Sequence, residues 1–168
     1  MESRVRRATE ADIEALRRAI YQAWRWREPW SETAFRQYLA LNRPDSYVDD
    51  FGLRRGDAGF VAERLEDDQC RAVGAAWYRL FTEQDHRDGF VAADVPELVV
   101  AVSAAARGRG LGRTLTDRLI QHAAATGASG LSLHVSNENV RAQQLYRSQG
   151  FVVVDDRGSR GLVMLKGL

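Results

Sequence analysis

Apolar positions recur at two different spacings along this 168-residue chain, and each change of spacing marks an element. Ile13, Leu16, Ile20 and Trp24 lie three or four residues apart behind Thr9 and Asp12, a capping-box pair, which predicts an amphipathic helix over residues 10–24. The preceding VRRA reads as a short strand. Ser31 can cap a second helix with Phe35, Tyr38 and Leu39 on one face, and Pro44 brings it to a close. The stretch NRPDSYVDDFGLRRGDAG, residues 42–59, reads as a long loop.

From residue 59 the pattern becomes strand-like: GFVAE, then RAVGAAWYRLF, then PELVVAV, separated by charged or glycine-containing turns, an antiparallel meander. Residues 98–102 are almost wholly apolar, as expected of a strand buried on both faces. Leu111, Leu115, Leu119 and Ala123 then recur at intervals of four, predicting a helix from about 110 to 125. A strand follows at 130–135, a helix from about 139 to 148, and strands near FVVV and GLVML. The order β-α-α-β-β-β-α-β-α-β-β describes one mixed α/β domain over residues 1–168, with no repeat and no long linker.

Composition narrows the function classes. With 45% apolar and 28% charged residues the chain can bury a real core. A net charge of +1 gives no global attraction to nucleic acid, so anion binding has to come from local clustering such as Arg107, Arg109 and Arg113. Of the 24 basic residues only Lys166 is lysine, so the abundance of arginine lowers the weight of any single one. Cys70 is the single cysteine, which rules out an internal disulfide and a cysteine-based zinc site and points to a reducing compartment. Charges interrupt the first twenty residues, and no stretch approaches the roughly eighteen apolar residues of a membrane span. The expectation is a cytoplasmic protein that meets no membrane and no nucleic acid.

AAARGRGLGRTL, residues 104–115, joins the buried strand to the next helix. The first amides of a helix lack an intrahelical acceptor, and the helix dipole adds roughly half a positive charge there. Glycine lets backbone approach a ligand, so the segment suits a phosphate or pyrophosphate. It is not a P-loop, because Gly112-Arg113-Thr114 replaces Gly-Lys-Ser/Thr and Gly108 and Gly112 are one residue too close. Nor is it a dinucleotide fingerprint, since Arg113 stands where the third glycine belongs.

Arg107-Gly108-Arg109-Gly110-Leu111-Gly112 matches the Gln/Arg-x-x-Gly-x-Gly/Ala signature of the GNAT acetyltransferase superfamily, and Asn139 to Tyr146 with Gly150-Phe151 is similar to its N-x-x-A-x-x-L-Y … G-F segment. The resemblance is specific over residues 96–154; before that only the element order agrees. It implies a mixed, mostly antiparallel central sheet flanked by helices, with splayed fourth and fifth strands. Acetyl-CoA as co-substrate would lie in that splay. The backbone of Val100 and Val102 would meet its pantetheine arm, the amides of Arg107, Gly108, Arg109, Gly110, Leu111 and Gly112 its pyrophosphate, and Asn139 its arm again. The resemblance also makes dimerisation a family habit, with no residue of this chain signalling it.

Acetyl transfer to an amine poses two proton problems. A lysine-like amine with a pKa near ~10.4 costs on the order of 4 kcal/mol to neutralise at pH 7, so a base helps, and a departing thiolate with a pKa of ~8.5 benefits from an acid. Tyr146 matches the tyrosine that serves as acid in the family. Glu97, near the start of the strand that would carry the cofactor, is the candidate base, with a water chain as the alternative. His134 faces the other side of its strand from Leu131, Leu133 and Val135 and could reach a site; His122 and His86 are weaker candidates. No metal is called for. Trp24, Trp26, Trp30, Phe35 and Tyr38 near Glu28, Glu32, Asp49 and Asp50 could bind a cationic amine, or could be core and solvated charge. The reading is an N-acetyltransferase acting by direct attack in a ternary complex. Its acceptor stays open between a small molecule and a protein amino group, and the alternative is a non-catalytic acyl-CoA-binding sensor.

Overall fold

The computed structural model describes residues 3–66 and 68–168. The elements come in the expected order: β1 (Ser3–Arg7), α1 (Ile13–Trp24), α2 (Glu32–Ala40), β2 (Ala58–Glu66), β3 (Gln69–Arg79), β4 (Glu97–Val102), α3 (Leu111–Ala125), β5 (Gly130–Val135), α4 (Val140–Ser148), β6 (Val152–Asp156) and β7 (Leu162–Gly167). The first helix begins later than the periodicity suggests, because residues 10–12 form a 3-10 turn. The Thr9–Asp12 capping box is present, and both Asp12 oxygens also accept from Arg6 of β1 at 2.8 and 2.9 Å. Ser31 caps α2 as anticipated, its Oγ accepting from the Ala34 N–H at 3.2 Å.

The strands form one sheet in the order β1-β2-β3-β4-β5-β7-β6, antiparallel at every step but one. The exception is the parallel step from β4 to β5, whose register is Glu97 opposite Ser132 alone. There the Ser132 N–H donates to the Pro96 carbonyl at 3.0 Å. β4 is paired along its whole length with β3, and β5 along its whole length with β7. Each is therefore held firmly on its outer side and free on its inner side, and beyond Glu97 the two diverge.

Both faces of the sheet are covered. Leu111, Leu115, Leu119 and Ala123 of α3 pack on one face against Leu98, Leu133 and Met164, joined by Tyr146 and Phe151. Leu16 and Ile20 of α1 pack on the other against Val61, Trp77, Val99 and Ala101. The alternation of Leu98 and Val99 between these cores explains the unbroken apolar run of β4. Each fully buried leucine contributes roughly 1.5–3 kcal/mol.

Residues 42–57 are irregular, as expected, while Ala58 and Gly59 already belong to β2, and the stretch is not a surface excursion: Tyr47, Val48 and Phe51 belong to the second core. A buried loop must satisfy its backbone carbonyls. Here the Trp77 Nε1–H donates to the Tyr47 carbonyl at 2.7 Å, and Arg79 Nη1 donates to those of Ser46 and Asp49 at 2.7 and 2.8 Å. Among the described residues no helix is long and apolar enough to cross a membrane.

Candidate active site

The divergence of β4 and β5 opens a cleft of about 780 Å³, within the range of small-molecule sites. Val100 and Val102 line it, and beyond Glu97 their strand has no partner on that side among the described residues. At its far end lies the glycine and arginine turn. Gly108 and Gly110 both adopt φ +79°, a conformation that strains other residues, and Gly110 is the N-cap of the fifteen-residue helix α3. The turn thus presents helix-start amides beside backbone free of side chains.

Arg107, Gly108, Gly110, Leu111 and Gly112 all line the cleft, while the Arg109 side chain is exposed and lies outside that lining. Arg107 is structurally engaged, its Nε donating to the last carbonyl of β4, that of Val102, at 3.0 Å and its Nη1 to the Trp26 carbonyl at 3.4 Å. Burial first, and the neighbouring Arg141 charge second, hold its guanidinium below the usual arginine range. Arg113, which the sequence groups with Arg107 in the local cluster, and Arg141, which it does not single out, also line the cleft.

Glu97 stands where β4 and β5 part and is only 2% exposed. Its Oε1 accepts from the Tyr47 O–H at 2.5 Å and from the Gly89 N–H at 2.9 Å. Its Oε2 is buried and accepts no hydrogen bond among the described residues, and the Oγ of the facing Ser132 is likewise without a partner among them. Burial pushes the Glu97 carboxyl up to about 7, against the smaller downward pull of the Tyr47 and Gly89 bonds. A carboxylate with one oxygen fixed, one free and a pKa near neutrality has the properties of a general base.

Tyr146 lines the same cleft from α4, 7% exposed and edge-on to Phe151 at 5.8 Å. Burial pushes its phenol up to about 12, so it stays protonated through the neutral range. Asn139 also lines the cleft, but its Oδ1 caps α4 by accepting from the Ala142 N–H at 3.1 Å, leaving its Nδ2 for a ligand. Of the histidines, His134 borders the cleft and its ring Nε2 contacts the Arg160 carbonyl. His122 is hydrogen-bonded to the Tyr78 hydroxyl at 2.7 Å on the α3 side of the sheet, and His86 stacks on Phe90 at 4.7 Å.

The aromatic residues of the first helices divide into two groups. Trp24 and Trp26 both line the cleft, the second from the turn beyond α1, so neither is core. Trp30, Phe35 and Tyr38 gather around Tyr21 instead, and Trp77 is wholly buried. Glu28, Glu32 and Asp49 are ion-paired to arginines, Glu32 with both Arg18 and Arg36. The carboxylates at the cleft are Glu97 and Asp88. Among the titratable lining residues, Tyr47, Asp88 and Arg141 are those that sequence reasoning did not pick.

Comparison with known proteins decides the family: the model of the Acetyltransferase (GNAT) family matches residues 13–151. This chain belongs to the GNAT acetyltransferase family. The mycothiol acetyltransferase of Rhodococcus jostii is 33% identical over 154 residues, 88% of this chain and 44% of that protein. The chain thus spans less than half the length of such relatives. The ribosomal-protein-alanine N-acetyltransferase of Brucella melitensis superposes with a TM-score of 0.64 at 32% identity, over 98% of this chain and 99% of that one. The paia N-acetyltransferase of Thermoplasma acidophilum, solved with coenzyme A, shares the fold over the full length of both chains, with a TM-score of 0.69 at 17% identity.

Proposed function

We propose that this GNAT chain transfers the acetyl group of acetyl-CoA to a primary amine by direct attack in a ternary complex. The observation that carries the reading is the convergence in one cleft of a glycine-lined helix start, a buried carboxyl raised to about 7 and a protonated tyrosine. The helix-start amides and the Arg107 and Arg141 side chains bind the pyrophosphate, and the unpaired inner edge of β4 at Val100 and Val102 takes the pantetheine arm. Asn139 Nδ2 donates to the same arm.

Glu97 accepts the acceptor's proton at Oε2 as the new N–C bond forms, and Tyr146 donates its phenolic proton to the sulfur as the C–S bond breaks. Glu97 then releases its proton to solvent and Tyr146 regains one from it, which restores both groups. Trp24, Trp26 and Asp88 border the acceptor end, where a ring face or a carboxylate attracts a protonated amine. The relatives suggest the first acceptors to try: an amine related to mycothiol, and a peptide with an N-terminal alanine. A cytoplasmic location accompanies this reading, since acetyl-CoA is available there.

The test is thiol release from acetyl-CoA over a panel of small amines and peptides, with Tyr146→Phe and Glu97→Gln beside the wild-type chain. Acceptor-dependent turnover that falls by about a hundredfold in either variant supports the reading, within the range expected of a lost acid or base. Binding of acetyl-CoA without turnover on any acceptor overturns it in favour of a sensor.

A further inference from the structure

Arg79 and Glu97 stand directly opposite each other in the antiparallel register of β3 and β4. Residues so placed carry their Cβ atoms about 5 Å apart on the same face of the sheet. Both are buried, Arg79 completely. A guanidinium and a carboxylate in that position would ordinarily pair, yet no bond joins them. Arg79 Nε and Nη2 donate instead to Asp57 at 3.0 and 2.6 Å, in an ion pair almost wholly shielded from solvent. Its Nη1 is engaged by the carbonyls of Ser46 and Asp49. Glu97 turns to two neutral donors, the Tyr47 hydroxyl and the Gly89 amide.

We propose that Tyr47 is a positioning residue for Glu97: a neutral phenol set where the sheet register offers a guanidinium, fixing one carboxylate oxygen while leaving the other free for the acceptor's proton. The inference rests on Glu97 as the base of the proposed reaction. A guanidinium partner would hold Glu97 ionised at low pH and make it a poor proton acceptor, whereas a phenol fixes the carboxylate with a far smaller acidifying effect. With Oε1 accepting two hydrogen bonds, Oε2 is the oxygen left to titrate.

The delivery of Tyr47 depends on the same arginine that is withheld from Glu97. Arg79 anchors the carbonyls of Ser46 and Asp49 on either side of Tyr47. The Tyr47 N–H donates to Asp45 Oδ1 at 3.0 Å, its carbonyl accepts from Trp77, and its ring meets Phe81 edge-on at 5.6 Å. The other charged or titratable groups about Glu97 are Asp88 and Arg87 of the loop before β4, which raise and lower its pKa respectively and by less than burial does, and His134 of β5.

The experiment compares pH profiles of kcat for wild type, Tyr47→Phe, Asp57→Asn and Glu97→Gln, with KM for acetyl-CoA and thermal unfolding measured in parallel. Tyr47→Phe removes one oxygen and keeps the ring against Phe81, so the fold survives. Its acid limb should move up by roughly half to one pH unit, the equivalent of one net hydrogen bond, while KM for acetyl-CoA stays within about twofold. Asp57→Asn frees Arg79 to turn toward Glu97 and should move the limb down; if that variant unfolds, Tyr47→Phe decides alone. An unmoved limb in Tyr47→Phe, with Glu97→Gln abolishing it, overturns the role of Tyr47 and leaves the base intact. A limb that persists in Glu97→Gln overturns the base itself, and the Tyr47 inference with it.

Discussion

Glu97 faces Ser132 at the register position that joins β4 to β5, so the candidate base sits at the vertex from which the cleft opens. Strand pairing on both sides fixes its backbone, and burial rather than a neighbouring anion is the main cause of its raised pKa. A base of this kind works only when deprotonated, so kcat should climb as pH rises through about 7 and level off above it. Glu97→Gln should flatten this limb and lower kcat by two to four orders of magnitude, roughly what a positioned base supplies. Initial rates from pH 5.5 to 9 on a weakly basic amine, neutral throughout that range, isolate the enzyme's own titration.

The same displacement of pKa has a consequence for stability. In the unfolded chain Glu97 ionises near ~4.3, while in the fold it holds its proton up to about 7. Below the lower value both states are protonated and nothing is lost. Between the two, the folded state binds the extra proton, so stability falls as pH rises, by a total on the order of 3 kcal/mol, and stays at that lower level above the upper value. Glu97→Gln removes this loss. Thermal unfolding of the pair should therefore show the variant gaining on the wild type between pH 5 and pH 8, even as it loses activity, a trade typical of active sites. A constant gap across that range would show that Glu97 titrates normally.

How far these groups were legible in the sequence depended on the range of the contact that defines them. The period of four in Leu111, Leu115, Leu119 and Ala123 and the apolar run ending at Val102 are local patterns, and both elements lie where the patterns put them. Gly108 and Gly110 announce a turn by chemistry that needs no partner, and both adopt positive φ. Glu97 and Tyr146 were picked out by their place relative to that turn and to the family-like segment. Tyr47 carries no such mark. It lies in a stretch whose proline, glycines and aspartates read as loop, and it meets Glu97 across fifty positions of sequence through a loop that Arg79 and Asp57 pin to the sheet. No local periodicity encodes a contact of that span. Similarly, Trp26 follows the end of α1, so helical phase could not tell that it joins Trp24 at the cleft.

Arginine at the phosphate end separates two kinds of contribution. Arg141 lines the cleft beside Gly108, whose position would place a Cβ 3.6 Å from Arg141 Nη2, whereas the Arg109 side chain is exposed and lies outside the lining. Charge-assisted hydrogen bonds are worth roughly 1.5–3 kcal/mol. Arg141→Ala should therefore raise KM for acetyl-CoA by about tenfold or more, and the penalty should shrink as added salt screens the phosphates. Arg109→Ala keeps the backbone amide and should change KM by less than about twofold. Steady-state kinetics at low and high salt separates the two; equal effects would assign the charge to the motif arginine after all.

The glycines of the turn can be sorted in the same way. Gly110 has φ +79°, and a Cβ there would meet nothing within 4 Å, so Gly110→Ala carries only the conformational cost of the left-handed region, roughly 1–2 kcal/mol. That strain is relieved by moving the turn, so both stability and acetyl-CoA affinity should fall. Gly112 lies inside α3, where a Cβ would touch Leu145 Cδ2 at an ordinary 3.4 Å. Alanine favours a helix interior over glycine by roughly 1 kcal/mol, an advantage that a residue in the first turn of α3 gains only in part, so Gly112→Ala should hold the melting temperature. Its methyl group would face Leu145 and Val102 rather than a ligand, and the signature admits alanine at this position, so affinity for acetyl-CoA should hardly change. Calorimetric titration beside thermal unfolding reads both quantities. A Gly110→Ala chain that binds acetyl-CoA as tightly as wild type would place the phosphate elsewhere than on the start of this helix.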